Sequence, residues 1–278
     1  MNRPRRKGPT GAAFLVLAVI FWVPATGAGQ APAPEGSEGA SASLTSVMAE
    51  DRTPAASDPD FLFQPPRVSL GFRWGFHSPR AGSDVFDFIT DELTLDRNDF
   101  RGAAWEGELG IRATDRADVV LALGHSRSSE RSEFRDYEGD DGLPIEQTTE
   151  LRVTPMTAGL RVYLLPQGTA VGNFAWVPAS AAPYLSGGVG LVHYHLEQRG
   201  EFVDFQDLRI FRDTFESSEW GSTIHLAAGT NVKLTRRAVF TAEGRYRWGS
   251  AELRGDFVDF DPIDLGGFQA TLGVTLRF

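Results

Sequence analysis

The chain of 278 residues has no cysteine, so no disulfide can hold it together. Lysine is almost absent: Lys7 and Lys233 are the two present, and the remaining cations are arginine. The formal net charge of −10 argues against nucleic acid as a partner. There is no run of about 20 apolar residues of the kind a membrane-spanning helix needs. The apolar stretch Ala12–Val23 stops at twelve. No segment shows a convincing helical period, and no repeat of fixed length points to a solenoid.

What is present begins with an export signal. Arg3, Arg5, Arg6 and Lys7 precede the apolar stretch, and Pro24 and small residues follow it, with Thr26-Gly27-Ala28 as a cleavage site. A basic start, a short apolar middle and a small-residue end predict a signal peptide over residues 1–28. Its removal takes away four cations and no anions, so −10 becomes −14. Residues 29–66 are rich in Ala, Pro, Ser, Gly and Glu and are expected to form a flexible leader. The folded domain is expected over residues 67–278.

From Val68 the pattern alternates. Val68, Leu70, Phe72, Trp74 and Phe76 interleave with Ser69, Gly71, Arg73, Gly75 and His77. The same period of two runs through Trp105–Ala113, Val119–Leu123, Met156–Leu164, Trp220–Lys233, Phe240–Trp248 and Phe268–Phe278. Each reads as a strand with one apolar and one polar face. A glycine-rich segment, Tyr184–Leu196, makes an eighth strand whose facing is left open. Leu151 and Val153 differ in parity from Met156 onward, so a bulge is expected at Pro155.

The apolar faces carry aromatics toward the strand ends: Trp74, Phe76, Trp105, Trp220, Tyr246, Trp248 and Phe278. Aromatic residues flanking an apolar band mark a barrel wall that faces lipid. Lipid cannot satisfy backbone polar groups, so the sheet must close. The fold class expected is therefore all-β, an eight-stranded antiparallel transmembrane barrel. Thr114-Asp115-Arg116-Ala117 and Thr235-Arg236-Arg237-Ala238 are matching tight turns, and Pro166–Ala182 is a longer connection of the same set. About Ser78–Gly102, Arg127–Thr148, Glu197–Glu219 and Gly249–Asp264 are the four long loops. Short periplasmic turns and long outer loops place both termini in the periplasm.

One acidic-aromatic phrase recurs. SDVFDF (83–88), SEFRDY (132–137), GEFVDF (200–205) and GDFVDF (255–260) start 49, 68 and 55 residues apart, one in each long loop. All four are expected at one extracellular rim. Their carboxylates are Asp84, Asp87, Glu133, Asp136, Glu201, Asp204, Asp256 and Asp259. Shared composition explains the phrases; a common binding surface is the sharper reading. Convergent carboxylates would suit calcium, although no loop has EF-hand spacing.

On these grounds the chain resembles the small outer-membrane β-barrels of Gram-negative bacteria, OmpA/OmpX-like. The resemblance covers residues 67–278. It rests on the signal peptide, the eight alternating strands, the long loops and the ending TLGVTLRF. It implies outer-membrane lipid and lipopolysaccharide as surroundings, a monomer, and Phe278 as part of the signal read by the barrel-assembly machinery. The long leader departs from the family pattern.

An eight-stranded barrel has room inside for side chains or one small ligand. Glu106, Glu108 and Glu243 are expected to pair there with some of Arg73, Arg112, Arg161, Arg245 and Arg247, since charges away from water need compensation. No cofactor, metal or catalytic residue is assigned. His193 and His195 share a face, but two ligands make a weak metal site. The His-x-Ser arrangement of barrel lipid A deacylases is absent. The expected role is structural or surface-interacting, with a surface partner reached through the loops; a narrow gated pore is the alternative, and a lipid-modifying enzyme the second.

Overall fold

The computed structural model describes residues 61–278 apart from 140, 141, 205, 206 and 208, and does not describe the side chain of Asp136. The signal peptide and the leader as far as residue 60 lie outside these residues, as does Phe205 of the third phrase.

Eight strands carry the fold: β1 Val68–Pro79, β2 Gly102–Arg112, β3 Ala117–Glu138, β4 Pro144–Tyr163, β5 Ala181–Val203, β6 Ile210–Lys233, β7 Ala238–Ala251 and β8 Gly267–Arg277. Each pairs antiparallel with its sequence neighbours. β8 then returns to β1, in register from Ser69 against Arg277 to Pro79 against Gly267. The ring is closed, and no backbone edge faces outward along the strands.

The alternation sets the facing. Trp74, Phe72, Leu160, Ile224, Leu226 and Leu272 project outward and exposed, while Arg73, Glu106, Arg161, Thr241 and Glu243 point in and are buried. A soluble fold would not leave so continuous an apolar belt on water; the belt is the lipid-facing wall of a transmembrane barrel. The glycine-rich β5 resolves the same way, with Leu185, Val189 and Leu191 outside and Tyr184, Val192 and Tyr194 inside.

The strands differ in height. β3 to β6 run 20–24 residues, against 11–14 for β1, β2, β7 and β8. The expected second and third loops are therefore mostly strand among the described residues. One side of the barrel stands as a tall wall. Against its inner face sit the first and fourth connections, including helix α1, Asp84–Glu92, and a 3₁₀ turn, Gly255–Phe257. The helix corrects the expectation of none.

No bulge occurs at Pro155. Leu123 opposes Met156 and Ser126 opposes Val153 in one unbroken register, and β5 opposes β4 continuously past the proline. The β3–β4 ladder only skips the pairs at Gly124 and His125, where proline has no N–H to give. The parity change has another cause. Above this level the inward residues become apolar, because the barrel interior itself changes from charged to greasy.

The near end is closed by sequence-local pieces. Thr114 N–H and Thr235 N–H donate to Ala117 O and Ala238 O at 2.9 Å in the two matching turns. A hairpin, Gly168–Val171 with Ala175–Pro178, places a buried Trp176 there. Leu62 exchanges both backbone hydrogen bonds with Trp176, at 2.7 and 2.8 Å, so the last part of the expected leader pairs with the fold. Phe278 and Val68 close the ends of β8 and β1, with Phe278 N–H donating to Val68 O at 2.8 Å.

Candidate functional site

The barrel interior is layered. Nearest the termini, Tyr163 Oη donates to Asp118 Oδ2 at 3.1 Å and Gln167 Nε2 donates to Asp118 Oδ1 at 3.2 Å. Asn231 Nδ2 donates to Tyr163 Oη at 3.3 Å, and Thr241 Oγ1 donates to Asn231 Oδ1 at 2.9 Å. This layer is neutral apart from Asp118 and the buried Arg277.

The middle layer is ionic. Arg161 holds Glu108 through two bonds of 2.6 Å. Arg73 reaches Glu106, Glu108 at 2.7 Å and Glu243 at 3.2 Å. Arg245 binds Glu106 at 2.5 and 2.9 Å and Glu243 at 2.8 Å. Tyr184 Oη donates to Glu243 at 2.8 Å, and its ring lies 4.2 Å beneath the Arg161 guanidinium. All six charged residues are 1–6% exposed. Three guanidiniums meet three carboxylates, so the layer is neutral. Burying such charges is tolerable only because each finds several partners.

Of the residues grouped from sequence, Arg73, Glu106, Glu108, Arg161, Glu243 and Arg245 come together. Arg112 does not. It lies at the near rim, 3.3 Å from Asp115, with its guanidinium 5.7 Å from the Trp176 ring. It occupies the last place of β2, where the inward face opens beyond the layer. Arg247 is buried one step above, donating to Gln269 Oε1 at 3.0 Å, and among the described residues no carboxylate pairs with it. Tyr184 was missed; an aromatic followed by small residues on a strand of open facing was its one signal.

Above the charges lies an apolar core. Val85, Phe86 and Ile89 of α1 are fully buried against Leu151, Val153, Val192, Tyr194, Leu196, Ile263 and Leu265. The repeated phrases feed this core with Phe86, Phe134, Val203 and Phe257, and Phe260 and Tyr137 pack on it. Their carboxylates sit around it in separate contacts. Asp87 pairs with Arg97, Glu201 with Arg212 at 2.7 Å, Asp84 Oδ2 accepts from Asp261 N–H at 3.0 Å, and Asp256 Oδ2 accepts from Glu216 N–H at 2.9 Å. Glu133 takes part through its backbone, its N–H donating to Thr94 Oγ1 at 2.9 Å. Asp204 N–H donates to Arg209 O at 2.9 Å, and Asp259 is exposed. Among the described residues no group of three or more His, Asp or Glu is placed to hold a metal ion, so the described carboxylates of the phrases form no such cluster.

On the outer surface a row of side chains stands in register across five strands: Trp74, Trp105, His125, Thr154 and His193, then Trp220 on a sixth. His193 Nε2 lies 3.1 Å from Ser218 Oγ, and its ring leans against Trp220 at 57°, centroids 4.9 Å apart. Above the row, Arg127 and Arg152 both hold Glu150, the first at 2.7 Å.

No protein-family model and no curated protein sequence matches the chain. Solved structures do. Neisserial surface protein A (NspA) is 11% identical over 76% of this chain and 97% of its own, with a TM-score of 0.44. OprG from Pseudomonas aeruginosa is 14% identical over 78% and 99%, with 0.45. Ail of Yersinia pestis, in complex with the heparin analogue sucrose octasulfate, is 12% identical over 76% and 99%, with 0.40. The ring closure and the lipid-facing belt described above make this chain an eight-stranded antiparallel transmembrane β-barrel.

Proposed function

We propose that the protein is a non-conducting barrel of the outer membrane that displays a folded surface outside the cell. One observation carries this reading: buried side chains occupy the interior at each of its levels. Trp176 and the Asp118 network close the near end, the six-charge layer fills the middle, and α1 with its apolar core closes the far end. The tall wall β3–β6 then serves as a platform, and the cleft lined by Pro144, Glu146, Arg199, Glu201, Arg212 and Asp213 offers it a charged contact surface. Both termini in the periplasm fit the short turns at their end of the barrel, because outer loops of such barrels are the long ones. Exposed Arg127, Arg152 and Arg199 suit lipopolysaccharide phosphates, and the exposed Phe278 suits a role in barrel assembly. Reconstitution into planar bilayers tests the reading. A flat current trace is expected; reproducible unitary steps would replace it with the narrow-pore alternative.

A second reading, a lipid-modifying enzyme, draws on the His193–Ser218 contact at the outer surface. A Ser nucleophile needs a base that is itself oriented by a third group, and among the described residues no carboxylate bonds His193. Incubation with lipopolysaccharide is expected to leave the lipid A mass unchanged. Loss of an acyl chain, abolished by Ser218→Ala, would restore the enzymatic reading.

A further inference from the structure

Directly above the neutral ionic layer lies a set of groups that the layer does not account for. Arg247 on β7 opposes His225 on β6 and Gly267 on β8. His77 on β1 opposes Gln269 on β8. A Cβ on Gly267 would stand 3.0 Å from His77 Nε2, so glycine there leaves the imidazole its place beside Arg247. Four strands thus bring Arg247, His77, His225 and Gln269 to one level, each 2–6% exposed.

The level is rich in donors and short of acceptors. Arg247 Nε, His77 Nε2 and His225 Nδ1 are buried without a hydrogen-bond partner. Arg247 gives one bond to Gln269 Oε1. The carboxylates nearest below, Glu106 and Glu243, are already shared among Arg73, Arg161 and Arg245. With three cations matched by three anions there, Arg247 is a fourth buried guanidinium with no countercharge. Leaving such a charge uncompensated is strongly unfavourable. A neutral imidazole carries one N–H, and either ring nitrogen can bear it. With the proton on the unpartnered nitrogen, both histidines become donors beside the guanidinium.

We propose that this layer binds a small monovalent inorganic anion, chloride being the form available in salt water. Guanidinium and imidazole N–H groups supply the donors, and the anion supplies the missing charge. A cation is excluded by Arg247. Polyatomic anions such as phosphate are disfavoured by the apolar core that starts just above, with Ile263, Leu265 and Ala251 buried there. The site goes beyond the surface role proposed above and is independent of it.

Two measurements on the refolded chain decide the matter. Crystals soaked in bromide should show an anomalous peak within hydrogen-bond reach of Arg247 Nε and the two histidines. Thermal unfolding at fixed ionic strength should shift upward as chloride replaces gluconate, saturating as a bound ligand does. Arg247→Gln should lose the shift, whereas Arg112→Gln, at the near rim, should keep it. No bromide peak at the layer, with water alone on these donors, overturns the proposal. So does a chloride shift that survives in Arg247→Gln. Should that variant fail to fold, the bromide result on the parent chain stands alone as the test.

Discussion

At the residue scale, the ionic layer sets the largest single effects. Glu243 touches Arg73, Arg161, Arg245 and Tyr184. Glu243→Gln removes one anion and leaves three guanidiniums with two carboxylates. Denaturant unfolding from lipid vesicles is expected to show a loss of about 3–5 kcal/mol. Arg112→Gln should cost under about 1 kcal/mol, because its partner Asp115 is open to water. Equal losses for the two variants would deny the layer its special standing. Gly273 is a steric counterpart: it opposes Arg73, and a Cβ there would sit 2.0 Å from the Phe72 carbonyl oxygen and 2.7 Å from Arg73 Cγ. Gly273→Val is expected to push the β1 backbone and Arg73 aside and lower the unfolding midpoint, while Gly107→Val, which opens onto empty space, should not. Much of this layer was legible in the sequence, since alternate Arg and Glu on strands with greasy opposite faces have nowhere to go but inward. Arg112 was misread because period-two counting cannot tell where along the axis a face leaves the barrel.

At the scale of elements, α1 shows what alternation hides. SDVFDF can be read by twos. Ser83 before two first-turn acids, with Val85, Phe86 and Ile89 sharing one side, also reads as a short helix start. The nine residues were too few to show a period in the sequence, and burial against β4 and β5 decided the outcome. Phe86 packs edge-on to Phe100, centroids 4.9 Å apart. Phe86→Ala should cost the cap about 3–5 kcal/mol. Trypsin is then expected to cut near the exposed Arg97 or Arg101 faster than in the parent, with the barrel strands surviving as a resistant fragment. Unchanged cleavage would mean that α1 is held by something else. The same core explains the parity change at Pro155 that sequence alone assigned to a bulge.

For the whole molecule, closure is the central fact. A closed, hydrogen-bonded ring resists detergent until heated, so unboiled and boiled samples are expected to run at different positions on a gel. A single position for both would argue against the ring. The strand count and the facing of seven strands were readable from alternation, and the two matching tight turns from their spacing. The tall wall was not, because strands that leave the membrane trade lipid-facing residues for charged ones and then look like loops.

The ionic layer has a consequence for how the ring is made. Its carboxylates and guanidiniums come from β1, β2, β4 and β7, and the links Arg73–Glu243 and Arg245–Glu106 join residues 170 and 139 apart in sequence. Those links cross the β1–β8 seam, so in an unclosed sheet Arg73 has no Glu243 and Arg245 no Glu106. An open intermediate must keep these groups hydrated, and water can leave the interior only when the last seam zips. The chain thus carries an electrical latch: neutrality at its centre is reached in the same event that finishes the wall.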